Sequence, residues 1–163
     1  MDGNMLAGWV IGAIIVVIAI LINVSYLRSR QVQSRLAKLS AQIDQPLANA
    51  SVGSSIACRG SLHQAAEAPE VCFYLAVETE GLIWPKEPPV TPKAGGRWTA
   101  TVHTEGCPDT FSISLWAVLP SGARHIHIWL DNGRRTDDYP GLTVLPGARR
   151  LAEVCELRLE PGA

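Results

Sequence analysis

No charged or strongly polar side chain interrupts residues 6–22 (LAGWVIGAIIVVIAILI). A small domain has little interior to enclose a helix apolar on every side, so a buried core helix is disfavoured. Met1 to Met5 carries no Lys or Arg, and no small-x-small site follows Ile22, where Asn-Val-Ser-Tyr-Leu stands. Both absences argue against a cleaved signal peptide, whose leading region is basic. Gly and Pro are missing from Val24 to Gln45, so nothing breaks a helix there before Pro46. There is no Gly-x-Ser-x-Gly elbow, no Walker loop and no His-Glu-x-x-His. The net charge of -1 gives no basic footprint for nucleic acid.

What is present begins with the apolar block. With Asn4 and Asn23 as shoulders it runs about 18 residues, roughly 27 Å of helix, enough to cross a hydrocarbon core. Trp9 and Tyr26 stand near its ends, at headgroup depth. Gly8 and Gly12 form a Gly-x-x-x-Gly, the small-residue pattern that lets helices approach. Arg28, Arg30, Arg35 and Lys38 follow with no acid among them. The positive-inside rule then places the N-terminus outside and the remaining chain in the cytoplasm of a single-pass membrane protein. The expected organisation is a tail at 1–5, a transmembrane helix at 6–23, a helical stalk at 24–45, a linker at 46–55 and a folded domain at 56–160. In the stalk, Val32, Leu36, Leu39 and Ile43 make a heptad-like stripe. Less than two heptads is short for a coiled coil, so a helix lying over anionic headgroups is the preferred reading, and pairing of protomers through stalk or anchor is the other.

From residue 56 the pattern is β. Val71–Glu78 is rich in strand formers, and Ile56–Ser61 is a weaker first strand. Arg97–His103 alternates with Trp98, Ala100 and Val102 on one face. Thr110–Val118 alternates with Phe111, Ile113, Leu115 and Ala117 inward, and Val154–Leu159 alternates too. Period two predicts one buried and one wet face, as in antiparallel sheets. Turn signals such as Gly95-Gly96 and Pro140-Gly141 separate the runs. The fold class is mainly β, an Ig-like β-sandwich with one short helix. That helix is Ala123–Asn132, which reads as strand by its His-Ile-His-Ile alternation or as helix with Ser121 near the N-cap and Gly133 past the end. The helix is preferred, with Ala123, Ile126, His127 and Leu130 as its buried stripe.

Trp84-Pro85, Gly96 to Trp98, Trp129-Leu130, Pro140 to Leu142 and Pro146-Gly147 together resemble the signature positions of a bacterial family of membrane-anchored, Ig-like β-sandwich domains. The resemblance covers residues 51 to the C-terminus. It implies the sandwich and the short helix, and it brings no catalytic residues with it.

The chemistry-bearing residues point away from catalysis. Cys58, Cys72, Cys107 and Cys155 contain no Cys-x-x-Cys and have no His pair at zinc-finger spacing. In a cytoplasmic domain they read as reduced, mostly buried thiols, with Cys72 and Cys155 as small apolar strand residues. Their even number is the argument for disulfides on an outside-facing domain. His125 and His127 share a face only on a strand, so a metal pair needs the strand reading. Asp109, Asp131, Asp137 and Asp138 match no calcium loop. Lys93 to Arg97 precedes a strand and reads as a hairpin turn, not a phosphate cradle. Trp84, Trp98, Trp116 and Trp129 are expected at the core or its rim. No cofactor or metal is called for. The expected function is a non-enzymatic, membrane-tethered interaction or sensory module that presents its sandwich to a protein partner. Trp84, Pro85 and Pro88 of the 84–92 loop, with Arg134, Arg135 and Tyr139 of the 134–142 loop, are the contact candidates. The alternative is an accessory subunit of a membrane complex, packed through its helix, and a metal-dependent enzyme ranks third. The partners are the lipid bilayer, a protein and a second copy of the chain, without nucleic acid.

Overall fold

The computed structural model describes residues 3–160, with the side chains of residues 16–27 and 29–160. The chain forms two compact units, divided between Ala37 and Lys38.

The first unit is one helix, α1 (Gly3–Lys38). Val16, Val17, Ile18, Ile20, Leu21 and Ile22 are each 50–63% exposed, and Leu27 is 63% exposed. Successive helical residues step about 100° around the axis, so apolar side chains emerge on every face. The polar side chains turn back on the helix. Asn23 Nδ2 donates to Ala19 O at 3.0 Å and Ser29 Oγ to Tyr26 O at 2.8 Å. The Arg30 guanidinium lies 4.9 Å above the Tyr26 ring, a cation–π contact. Among the described residues no helix is long and apolar enough to cross a membrane. The side chains at 6–15, most of the span expected at 6–23, lie outside the described residues, as do those of Gly8, Trp9, Gly12 and Arg28.

The helical stalk expected to reach Gln45 stops at Lys38. Ser40–Gln45 is a strand, β1, paired antiparallel with β3 (Ser55–His63) from Ser40↔His63 to Ile43↔Gly60. The ladder satisfies main-chain groups that an isolated helical turn would leave to water. Leu39 is buried and Ile43 half-buried in the second unit, so the heptad-like stripe is divided between a helix and a strand. Pro46 does end an element, but that element is extended. The region expected as linker also contains a short strand, β2 (Ser51–Val52).

The remaining elements are β4 (Cys72–Thr79), β5 (Leu82–Pro85), β6 (Arg97–His103), β7 (Thr110–Val118), α2 (Pro120–Thr136) and β8 (Ala148–Leu159). They form two sheets, ordered β1-β3-β6 and β2-β8-β7-β4-β5. Pairing is antiparallel except for β2 beside β8. The fold is therefore mainly β, two sheets and a short helix. One inner row is Ile56, Cys58, Leu62, Trp98 and Val102, and its counterpart is Phe111, Ile113, Leu115 and Ala117, all buried. Gly60 faces Trp98 in the β3–β6 register, and a Cβ there would stand 2.7 Å from the indole Cζ2. The missing side chain lets the indole lie across β3.

The five-stranded sheet departs from the expected wet outer face. Tyr74, Ala76, Ser114 and Val118 on that face are buried as well. Helix α2 covers it, packing Ala123, Ile126, Trp129 and Leu130 against Tyr74, Ala76, Ile83 and Val118, with Leu145. The run of buried residues in β4 thus reflects cover on both sides, as in a central strand. The alternation expected over 154–159 also breaks. Ile113 pairs with Val154 and Phe111 with Leu157, so three steps on β8 oppose two on β7, and Glu156 takes φ 58. The bulge buries both Val154 and Leu157 and turns Cys155 out to solvent.

Candidate functional site: an aromatic-walled groove

Strand β5 carries Trp84 and Pro85, so both belong to the sheet edge and not to the loop where they were expected. The chain beyond them follows β4: Lys86 N donates to Leu75 O at 2.8 Å and Val90 N to Phe73 O at 2.7 Å. Opposite, α2 begins at Pro120, its N-cap Leu119 having no side-chain cap, so Ser121 is not the cap. The helix continues through Gly133 to Thr136 and ends where Asp137 takes a left-handed φ of 55. Arg134 and Arg135 therefore lie on its last turn, not in a loop, where their charge suits the negative end of the helix.

The left-handed cap folds the chain back, and Tyr139 returns over α2 against Gly133. A Cβ at Gly133 would overlap the Tyr139 ring. The Tyr139 ring meets Trp129 edge-on, with centroids 5.5 Å apart and planes at 65°. Trp129 Nε1 donates to Pro140 O and Trp84 Nε1 to Tyr139 O, both at 2.9 Å. Ile83 and Leu142 exchange main-chain bonds of 2.8 and 2.9 Å. At Gly141 a Cβ would stand 2.6 Å from Trp84 Cζ2. The segments from Trp84 and from Arg134 are 50 residues apart in sequence, and these contacts stitch them into one wall.

Beside that wall lies a groove of about 440 Å³. Trp84, Pro85, Trp129, Leu130 and Tyr139 supply its apolar surface, and Lys86, Glu87, His103 and Glu105 its polar rim. The hollow is thus mostly apolar, with a few polar groups placed at its rim. Arg134 clamps the rim, contacting Glu87 and also Asp131 at 2.7 Å. Behind the groove, burial pushes the Cys107 thiol up despite the opposing charge of Lys86. Burial, then Cys72 and Glu87, raises the Tyr74 phenol.

Of the contact candidates, Trp84, Pro85 and Tyr139 line the groove and Arg134 holds its rim. Pro88 is exposed just beyond Glu87. Arg135 is turned towards Asn132, on the side of α2 with Ile128 and Asp131. His103, Glu105 and Trp129 were not foreseen as groove residues, and Glu87 was covered only as part of the 84–92 contact segment. The only signal for His103 was its place at the end of an alternating strand. His127, expected in the buried stripe, is exposed, and Trp129 occupies that place because α2 turns its 122–126–129–133 face to the sheet. His125 and His127 are both exposed on the helix, and among the described residues no group of three His, Cys, Asp or Glu could hold a metal. All four cysteines are free. Cys58 is the buried one, and Cys155 is exposed, contrary to its expected inward place.

Comparison with known proteins finds no matching family model, no curated relative and no similar solved structure.

Proposed function

We propose that this chain is a non-enzymatic, membrane-tethered interaction module whose groove receives a protein partner. The observation that carries the reading is the convergence of Trp84, Pro85 and Tyr139 on one groove, with Arg134 fixing its rim. Rigid aromatic anchors with a charged rim are the usual make-up of binding hot spots. The apolar side chains exposed around α1 support the tether, since water leaves such a surface uncovered while lipid or another helix covers it. The bases at 28–38 support an orientation with the N-terminus outside and the domain in the cytoplasm. Anchoring then raises the effective concentration of domain and partner.

An Ig-like sandwich is part of this reading. The sheet order β1-β3-β6 against β2-β8-β7-β4-β5 supports it, as does the parallel β2 beside β8. The resemblance to bacterial membrane-anchored Ig-like domains is retained on the same ground. The exposed flank of α1 equally supports a second reading, an accessory subunit packed through its helix against other membrane helices.

Photo-crosslinking in cells separates the two. A benzophenone amino acid at Pro88 or Tyr139 is expected to give one discrete adduct in the membrane fraction, and the same group at His125 none. Adducts at a 16–27 helix position with a silent groove would replace the first reading by the second.

A further inference from the structure

Strand β6 is an open edge. In the three-stranded sheet it has β3 as its single neighbour, and among the described residues the one further main-chain bond to it is Lys93 N to Arg97 O. The other edges are blunted. Strand β1 carries a bulge between Ile43 and Gln45 and runs into Pro46. Strand β5 is four residues long, ends at Pro85 and is bridged to Leu142. Strand β2 has two residues. Over Arg97–His103 there is no proline, no bulge and no inward charge, and Thr99 and Thr101 stand exposed at its centre. Such an edge is a template for another strand.

We propose that β6 pairs antiparallel with β6 of a second copy of this chain, joining two three-stranded sheets into one of six strands. The seven-residue strand is self-complementary about Ala100. Around a two-fold axis there, Ala100 meets the partner's Ala100, Thr99 the partner's Thr101, Trp98 the partner's Val102 and Arg97 the partner's His103. Facing residues share parity in this register. The outward N–H and C=O groups of the two strands therefore meet, whichever alternate residues carry them, except at Arg97, whose carbonyl already accepts from Lys93 N. Thr–Thr pairs are favourable across strands, while Trp98 and Val102, buried in their own core, leave the seam to the exposed threonines. No two carboxylates or two primary cations face each other, and Arg97 already has its charge met by Asp44 at 3.2 Å. The contact is isologous and closes at two copies. A shared bilayer makes the encounter two-dimensional. The inference does not depend on the groove, and it names a surface other than α1 for self-association.

The test uses the full chain in phosphatidylcholine vesicles, with Cys72, Cys107 and Cys155 replaced by Ser and buried Cys58 kept. Directly opposed strand residues lie within disulfide reach, and diagonal ones do not. A mixture of Thr99→Cys and Thr101→Cys chains should cross-link under mild oxidant at least tenfold more than either variant alone. Thr99→Lys with Thr101→Lys, which sets cations across the seam, should reduce dimer by at least tenfold, whereas Thr99→Ser with Thr101→Ser retains it. Equal cross-linking in all mixtures, a dimer that survives the double lysine variant, or a monomeric wild-type chain would each overturn the proposal. The second of these outcomes is the one expected of association through α1 alone.

Discussion

Single atoms decide the shape of the groove. Gly133 and Gly141 carry the hydrogen in place of a methyl that lets Tyr139 and Trp84 close on their neighbours. Gly133→Ala should displace the Tyr139 ring and cost about 1–3 kcal/mol, as overpacking does. Urea denaturation would measure the loss, and the Trp129 fluorescence of the native state would report the lost edge-on contact. Cys58 governs a second residue-scale effect. It is 1% exposed, and burial pushes its thiol from 9.0 to about 12. The folded state thus holds the proton more tightly than the unfolded chain. That contribution to stability is complete below pH 9 and is lost as pH rises from 9 to about 12. Denaturation at pH 8 and pH 10.5 should show the wild type losing up to about 1.4 kcal/mol per pH unit above 9 from this group. Cys58→Ala should flatten that part of the slope.

At the scale of elements, the outer face of the five-stranded sheet is held by Glu78 and by α2. The Glu78 carboxylate on β4 accepts from Ser114 Oγ and Trp116 Nε1 on β7, the latter at 3.0 Å, and from Arg150 on β8 at 2.9 Å. One half-buried carboxylate therefore ties three strands. Glu78→Ala leaves the fully buried Ser114 hydroxyl and the Trp116 indole N–H to each other, and should cost about 2 kcal/mol. Thermal unfolding of that variant beside Ser114→Ala would check it, with the smaller loss expected for Ser114→Ala because the charged group stays satisfied.

The elements also show what sequence makes legible. The inward rows of β6 and β7 follow from alternation alone, because each strand there has one regular face. Helix α2 was open to two readings, and burial resolved it: Ile126, Trp129 and Leu130 recur at helical, not strand, spacing. Strand β1 was hidden because its partners are residues of β3, distant in sequence, while its own residues fit a helical stripe equally well. The bulge at Glu156 was hidden because it is a property of the register with β7. The groove was half legible. Loop composition drew attention to Trp84, Pro85 and Tyr139, but the residues that complete it arrive from β6, α2 and the turn at Glu105, brought there only by tertiary packing.

At the scale of the whole molecule, α1 exposes apolar side chains around its described turns and the folded unit carries a groove. Neutralising Arg28, Arg30, Arg35 and Lys38 to Gln removes the positive-inside signal and should redistribute the orientation of the chain. Protease protection of the C-terminal unit in vesicles would read that change. The most direct measurement is thiol labelling with a membrane-impermeant maleimide in intact and lysed cells. Cys155 is the reporter because it is the exposed thiol, whereas Cys58 is closed to reagent. The account predicts that Cys155, recovered in the membrane fraction, stays unlabelled in intact cells and is labelled after lysis. Labelling in intact cells, or recovery of the chain free of membranes, would contradict it.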